Sequence, residues 1–120
     1  MAEKLQDLKL RTKEVALRMI RMYSKLPKTD TFAQVLGKQV LRSGASVGAN
    51  YREASRGRSK AEFISKIGDR LKEIEETEYW LELLVDSRCV PTARMADLLN
   101  ETRQLIAIFT TNDKRSKGDL

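Results

Sequence analysis

A chain of 120 residues, 41% apolar and 33% charged, has enough length to bury one core and the composition of a folded, soluble domain rather than a disordered one. No run approaches the roughly 18 apolar residues of a membrane span, and Met1 to Asp7 begins a polar helix where a signal peptide would have an apolar centre. The net charge of +6 is compatible with an anionic partner, while the absence of histidine removes the commonest general base.

The first helix is expected from about Glu3 to Leu26. Leu5, Leu8, Thr12, Val15, Met19, Met22 and Leu26 alternate spacings of three and four, the seam of a helical bundle. Leu10, Leu17 and Ile20 form a second apolar stripe away from that seam. A monomer would leave it wet, so it points to a homo-oligomer. Pro27 ends the helix.

A second helix is expected from Thr31, read as an N-cap with Gln34 completing a capping box, to about Arg56. Its core face reads Phe32, Leu36, Val40, Ser43, Val47, Asn50 and Ala54. At 100° per residue, Lys38, Arg42, Arg52 and Arg56 fall within about 80° of one another on the opposite face, with Ala45 and Ala49 between them. Small side chains beside arginines let a phosphate backbone or another helix approach closely. Gly37, Gly44, Gly48 and Ser55, with Leu41, make a further stripe. Each interior glycine costs about 1 kcal/mol against alanine, which suggests a close helix approach.

Gly57-Arg58-Ser59 breaks the chain, and Ser59 with Glu62 reads as a second capping box. The third helix then runs to about Ser87. Its seam reads Ile64, Ile67, Leu71, Ile74, Glu78, Leu81 and Val85. From Lys38 to Lys72 the basic residues, which also include Arg58, Lys60, Lys66 and Arg70, outnumber the acids Glu53, Glu62 and Asp69 enough to account for the whole net charge. This is the pattern of a nucleic-acid-binding stripe, with Lys38, Arg42, Arg52, Arg56, Arg58 and Lys60 as its contacts. It is equally the pattern of a solvated face whose arginines pair with carboxylates of a neighbouring helix or subunit. Farther along, residues 73–86 hold Glu73, Glu75, Glu76, Glu78, Glu82 and Asp86 and no lysine or arginine. A carboxylate on the seam must be paired, so Glu78 is expected to meet an arginine such as Arg18 or Arg42. Bundle sites for two metal ions add Glu-x-x-His pairs, so no metal and no cofactor is expected. Tyr79 and Trp80 flank the seam as candidate interface anchors.

Cys89-Val90-Pro91 connects to the last helix, expected from an N-cap at Thr92 through Ala93 to Thr110, with Met95, Leu98, Leu99, Thr102, Leu105, Ile106 and Phe109 facing inward. The short connections imply antiparallel neighbours, hence an all-α, up-down four-helix bundle over residues 1–110 with a flexible tail over 111–120. Cys89 has no partner to activate it and reads as a small buried hydrophobe, and Ser43-Gly44-Ala45-Ser46 follows no strand, so no enzyme is expected. The lone cysteine fits a reducing, cytoplasmic location.

Leu41-Arg42-Ser43-Gly44-Ala45-Ser46-Val47-Gly48-Ala49-Asn50-Tyr51-Arg52-Glu53-Ala54 resembles the signature of the bacterial four-helix-bundle proteins encoded in intervening sequences of 23S ribosomal RNA genes. Ser59 to Lys66 and Glu75 to Glu82 match the style of that family, and the likeness spans roughly residues 5–110. The same superfamily holds the accessory variability determinant proteins of diversity-generating retroelements, which are basic, pentameric, and bind nucleic acid and a reverse transcriptase. The resemblance implies a homopentamer binding RNA or DNA, with Ser46, Asn50 and Glu53 as signature positions and Arg42 and Arg52 as contacts; Glu78 and Trp80 join them as structural positions. Asn50-Tyr51-Arg52-Glu53-Ala54 stands where many relatives read Asn-Ile-Ala-Glu-Gly, which separates this chain from the retroelement proteins and weakens the implied reverse-transcriptase partnership.

Overall fold

The computed structural model describes residues 2–54 and 59–118, with side chains placed over 7–49 and 59–118. Four helices follow one another: α1 (Ala2–Ser24), α2 (Thr31–Ala54), α3 (Lys60–Asp86) and α4 (Thr92–Gly118). α1 packs on α2, α2 on α3, α3 on α4, and a thinner α1–α4 contact closes the bundle, leaving α1 and α3 at diagonal corners. The expected up-down arrangement is the one observed, drawn out to 48 × 22 × 20 Å.

The first helix follows its seam. Thr12, Val15, Met19 and Leu26 are buried, with Leu8 and Met22 half-buried beside them. Leu5 lies outside the described side chains. The second helix corrects its sequence reading at the start. Asp30, not Thr31, is the cap: its Oδ1 accepts from the Ala33 amide at 3.1 Å, and its carbonyl accepts from the Gln34 amide. The Gln34 side chain instead accepts from the Tyr23 hydroxyl at 2.8 Å and donates to the Pro27 carbonyl. Phe32 is 75% exposed and Ala33 is fully buried. The reason is phase. Phe32, Leu36 and Val40 are two successive steps of four, which drift off a 3.6-residue turn. Ala33, Leu36, Val40, Ser43 and Val47 keep the alternation of three and four.

The third helix begins as read, with the Glu62 amide donating to Ser59 Oγ at 3.1 Å. Its buried face is Ile67, Arg70, Ile74, Thr77, Leu81 and Leu84. Leu71, Glu78 and Val85 from the expected seam are only half-buried. The helix ends in a Schellman motif. The Arg88 amide donates to the Val85 carbonyl and the Cys89 amide to the Leu84 carbonyl, while Arg88 takes a left-handed φ of 66°. Thr92 is already helical rather than a cap. α4 does not stop at Thr110; it continues to Gly118, and Asp113 in that added stretch is 9% exposed and accepts from Lys117 at 3.1 Å.

The glycine stripe lies between α2 and α1. A Cβ at Gly37 would sit 2.6 Å from Tyr23 Cδ2 and from Leu26 Cδ1, and one at Gly44 would overlap the Met19 sulfur. The two helices approach at a distance that only glycine allows there.

Candidate nucleic-acid interface and its ion pairs

The outer face of α2 presents Lys38, Arg42, Ala45 and Ala49 to solvent. α2 positions them by burying the opposite Ala33, Val40 and Val47 face in the core. Arg42 keeps half its side chain exposed yet is held along its length. Its Nε donates to Gln39 Oε1 at 3.0 Å, Nη2 pairs with Glu76, and Nη1 lies 3.7 Å from Glu73 Oε2. Glu76 also accepts from the Trp80 indole at 3.3 Å. Arg42 therefore bridges two helices of its own bundle while leaving part of its guanidinium accessible.

Lys60 is exposed at the first turn of α3. The side chain of Arg52 lies outside the described residues, as do Arg56 and Arg58. The structure brings Lys38 and Arg42 together on one face and says nothing of those three. Arg70, counted in sequence with the basic run, does not belong to any surface: it is 2% exposed, with its guanidinium carbon 4.1 Å above the Phe109 ring centroid.

Among the signature positions, Ser46 is half-buried and donates to the Arg42 carbonyl at 2.8 Å. The side chains of Asn50 and Glu53 lie outside the described residues. Trp80 is half-buried against the core cluster, so it serves its own bundle; Tyr79 meets it edge-on at 5.2 Å and is itself 54% exposed. Ser43 Oγ and Thr77 Oγ1 lie 2.7 Å apart in the core.

Glu78 finds an arginine, though neither Arg18 nor Arg42. Arg103 of α4 donates from Nε to Glu78 at 2.9 Å and from Nη2 to Glu82 at 3.4 Å. The hydrogen bond to Glu78 is the main cause raising the pKa of Arg103 above its ordinary value. Arg11 similarly ties α1 to α4 through Glu101 at 2.9 Å and Gln104 at 3.3 Å. The sequence reading missed Arg103 and Arg11 as partners. The available signal was position: Arg103 directly follows the buried Thr102, on the flank where α4 meets α3. The acidic half of α3 is thus largely consumed within one chain, by Arg42 on one flank and Arg103 on the other.

Among the described residues no group of His, Cys, Asp and Glu side chains has the geometry to hold a metal ion, and no helix is long and apolar enough to cross a membrane.

The model of the 23S rRNA-intervening sequence protein family matches residues 6–111. The fold is similar to the crystal structure of a protein of unknown function from the S23 ribosomal protein family of Bacteroides thetaiotaomicron VPI-5482, with 36% identity, 92% of this chain and 98% of that chain covered, and a TM-score of 0.84. No curated protein matches the chain. The chain belongs to the 23S rRNA-intervening sequence protein family.

Proposed function

We propose that this family member is a non-catalytic, homo-oligomeric helical bundle that binds RNA or DNA with low sequence specificity through the outer face of α2. One observation carries the reading: Lys38 and Arg42 stand exposed on that face beside the exposed Ala45 and Ala49. Two cations next to a flat, small-residue surface suit a phosphate backbone, and the glutamates that hold Arg42 fix its guanidinium in place before binding. Among the described residues no exposed aromatic cluster lies beside these cations to read bases, which accords with low specificity. A non-catalytic role accords with the lack of histidine and with Cys89, whose sulfur meets Ser87 Oγ at 3.2 Å and, at 3.9 Å, an Asp30 carboxylate oxygen, neither of them a base that would activate a thiol as histidine does. Assembly into several copies, five by family resemblance, accords with the exposed Leu10, Ile20, Phe32 and Val35.

A second reading has its own observation. Arg42 pairs with Glu73 and Glu76 of the same chain, which supports the use of the α2 arginines in ion pairs with the acidic half of α3; the protein-binding scaffold reading extends such pairs across subunits. A salt titration separates the two. Labelled single-stranded RNA and duplex DNA are titrated with the wild type and with a Lys38→Ala/Arg52→Ala/Arg56→Ala variant. Nucleic-acid binding predicts a loss uniform across sequences, and a log–log salt slope flatter by about 0.9 per lost phosphate contact on duplex DNA and about 0.7 on single strands. No binding at about 50 mM salt, or equal binding by both proteins, leaves the scaffold reading.

A further inference from the structure

We infer that copies of this chain join through two chemically complementary faces at diagonal corners of the bundle: the basic outer face of α1 around Ile20, Arg21 and Lys25 docks on the acidic outer face of α3 around Glu75, Tyr79 and Asp86 of the next copy. The inference rests on the homo-oligomer reading and names its contact.

Each face centres on a large apolar side chain left in water, Ile20 at 53% and Tyr79 at 54% exposure. Each is flanked by exposed charges mainly of one sign, Arg21 and Lys25 beside Ile20 and Glu75 and Asp86 beside Tyr79, while the exposed Glu14 and Lys72 lie farther toward the N-terminal end of each helix. None of Arg21, Lys25, Glu75 and Asp86 is engaged in an ion pair among the described residues, whereas Glu73, Glu76, Glu78 and Glu82 are already paired within the chain. The occupant that supplies both chemistries at once is a second copy of this chain.

The faces also match in height. Met19 lies against Gly44, and the adjoining Ser43 meets Thr77 at 2.7 Å, so Met19 and Thr77 share one level along the bundle. α1 and α3 run in the same direction, both antiparallel to α2. At 1.5 Å per residue, Ile20 to Lys25 and Glu75 to Asp86 therefore overlap along the bundle axis, with Arg21 and Tyr79 about level. A contact between unlike faces is heterologous, and it makes a closed ring only if neighbours are related by rotation without a rise. Faces at equal height remove the rise along the bundle axis, and the docking angle between neighbours sets the rotation. The face of α2 that carries Lys38 and Arg42 stays outside the contact, repeated once per copy.

Sedimentation velocity of the full chain tests this with three proteins beside the wild type: Arg21→Glu/Lys25→Glu, Glu75→Lys/Asp86→Lys, and all four substitutions together. The wild type is expected at several times the 13.7 kDa chain mass, each double variant near that mass, and the fourfold variant, with its charges swapped, back at the wild-type mass. Far-UV circular dichroism checks that each remains helical. If a charge variant loses its helical spectrum, Ile20→Ser/Tyr79→Ser replaces it, again expected near the monomer mass. A wild-type oligomer whose mass neither double variant changes overturns the contact and leaves the oligomer standing. Monomeric double variants without recovery in the fourfold protein overturn the charge pairing. A monomeric wild type overturns both the contact and the oligomer.

Discussion

The Arg70 guanidinium carbon lies over the Phe109 ring, 4.1 Å from its centroid, and both side chains are almost wholly buried between α3 and α4. The aromatic face is one of the contacts that receive this buried charge. Phe109→Ala should lower stability by about 3–5 kcal/mol in urea unfolding, with cavity and lost stacking both contributing. Phe109→Leu fills much of the volume but removes the ring face, and should still cost about 1–2 kcal/mol. A loss below that from the alanine variant would mean that Arg70 is held by other contacts alone.

The α1–α2 approach makes opposite predictions for two glycines. Gly37→Ala pushes a methyl into the rigid Tyr23 ring and should destabilise by about 1–3 kcal/mol. At Gly48 the first neighbour of an added Cβ is Thr12 Oγ1 at 3.5 Å, an ordinary contact. Gly48→Ala should then stabilise by up to about 1 kcal/mol through helix propensity. Thermal unfolding of the pair decides whether the stripe as a whole, or only its Gly37–Gly44 part, needs glycine.

Glu78→Ala should cost less than about 1 kcal/mol. Its side chain is 27% accessible, and Arg103, 54% accessible, returns to water when the carboxylate is lost. A buried seam carboxylate would instead cost about 3–5 kcal/mol. Urea titrations at low and high salt measure the difference, and the small effect should shrink further as salt screens the pair.

Arg88 occupies the left-handed position of the Schellman turn that ends α3, at φ 66°. A side chain there costs roughly 1–2 kcal/mol, offset partly by the greater freedom that glycine gives the unfolded chain. Arg88→Gly should raise stability by up to about 1 kcal/mol, read as a higher urea midpoint at unchanged slope.

Periodicity and punctuation were enough to determine that this chain makes four antiparallel helices. Pro27 and Pro91 mark two connections and Ser59 caps α3, because spacing, caps and breakers act within a few residues of chain. The close approach of α1 and α2 was legible too, since several interior glycines in one stripe need a packing reason. What spacing could not decide was phase. On α3 two seams alternate three and four with equal regularity, Ile64-Ile67-Leu71-Ile74-Glu78 and Ile67-Arg70-Ile74-Thr77-Leu81. Judged by polarity, the first looks better. The second is buried, because Phe109 receives Arg70 and Ser43 lies beside Thr77, and both partners come from other helices. The same holds for the charges. Clustering along the sequence put Arg42 and Arg70 in one basic run, but only packing sent one to a solvent-facing pair with Glu73 and Glu76 and the other into the core. The partner of Glu78 likewise came from α4. Local chain chemistry sets where a helix starts and stops; which face it buries, and which charge meets which, depends on the helices packed beside it.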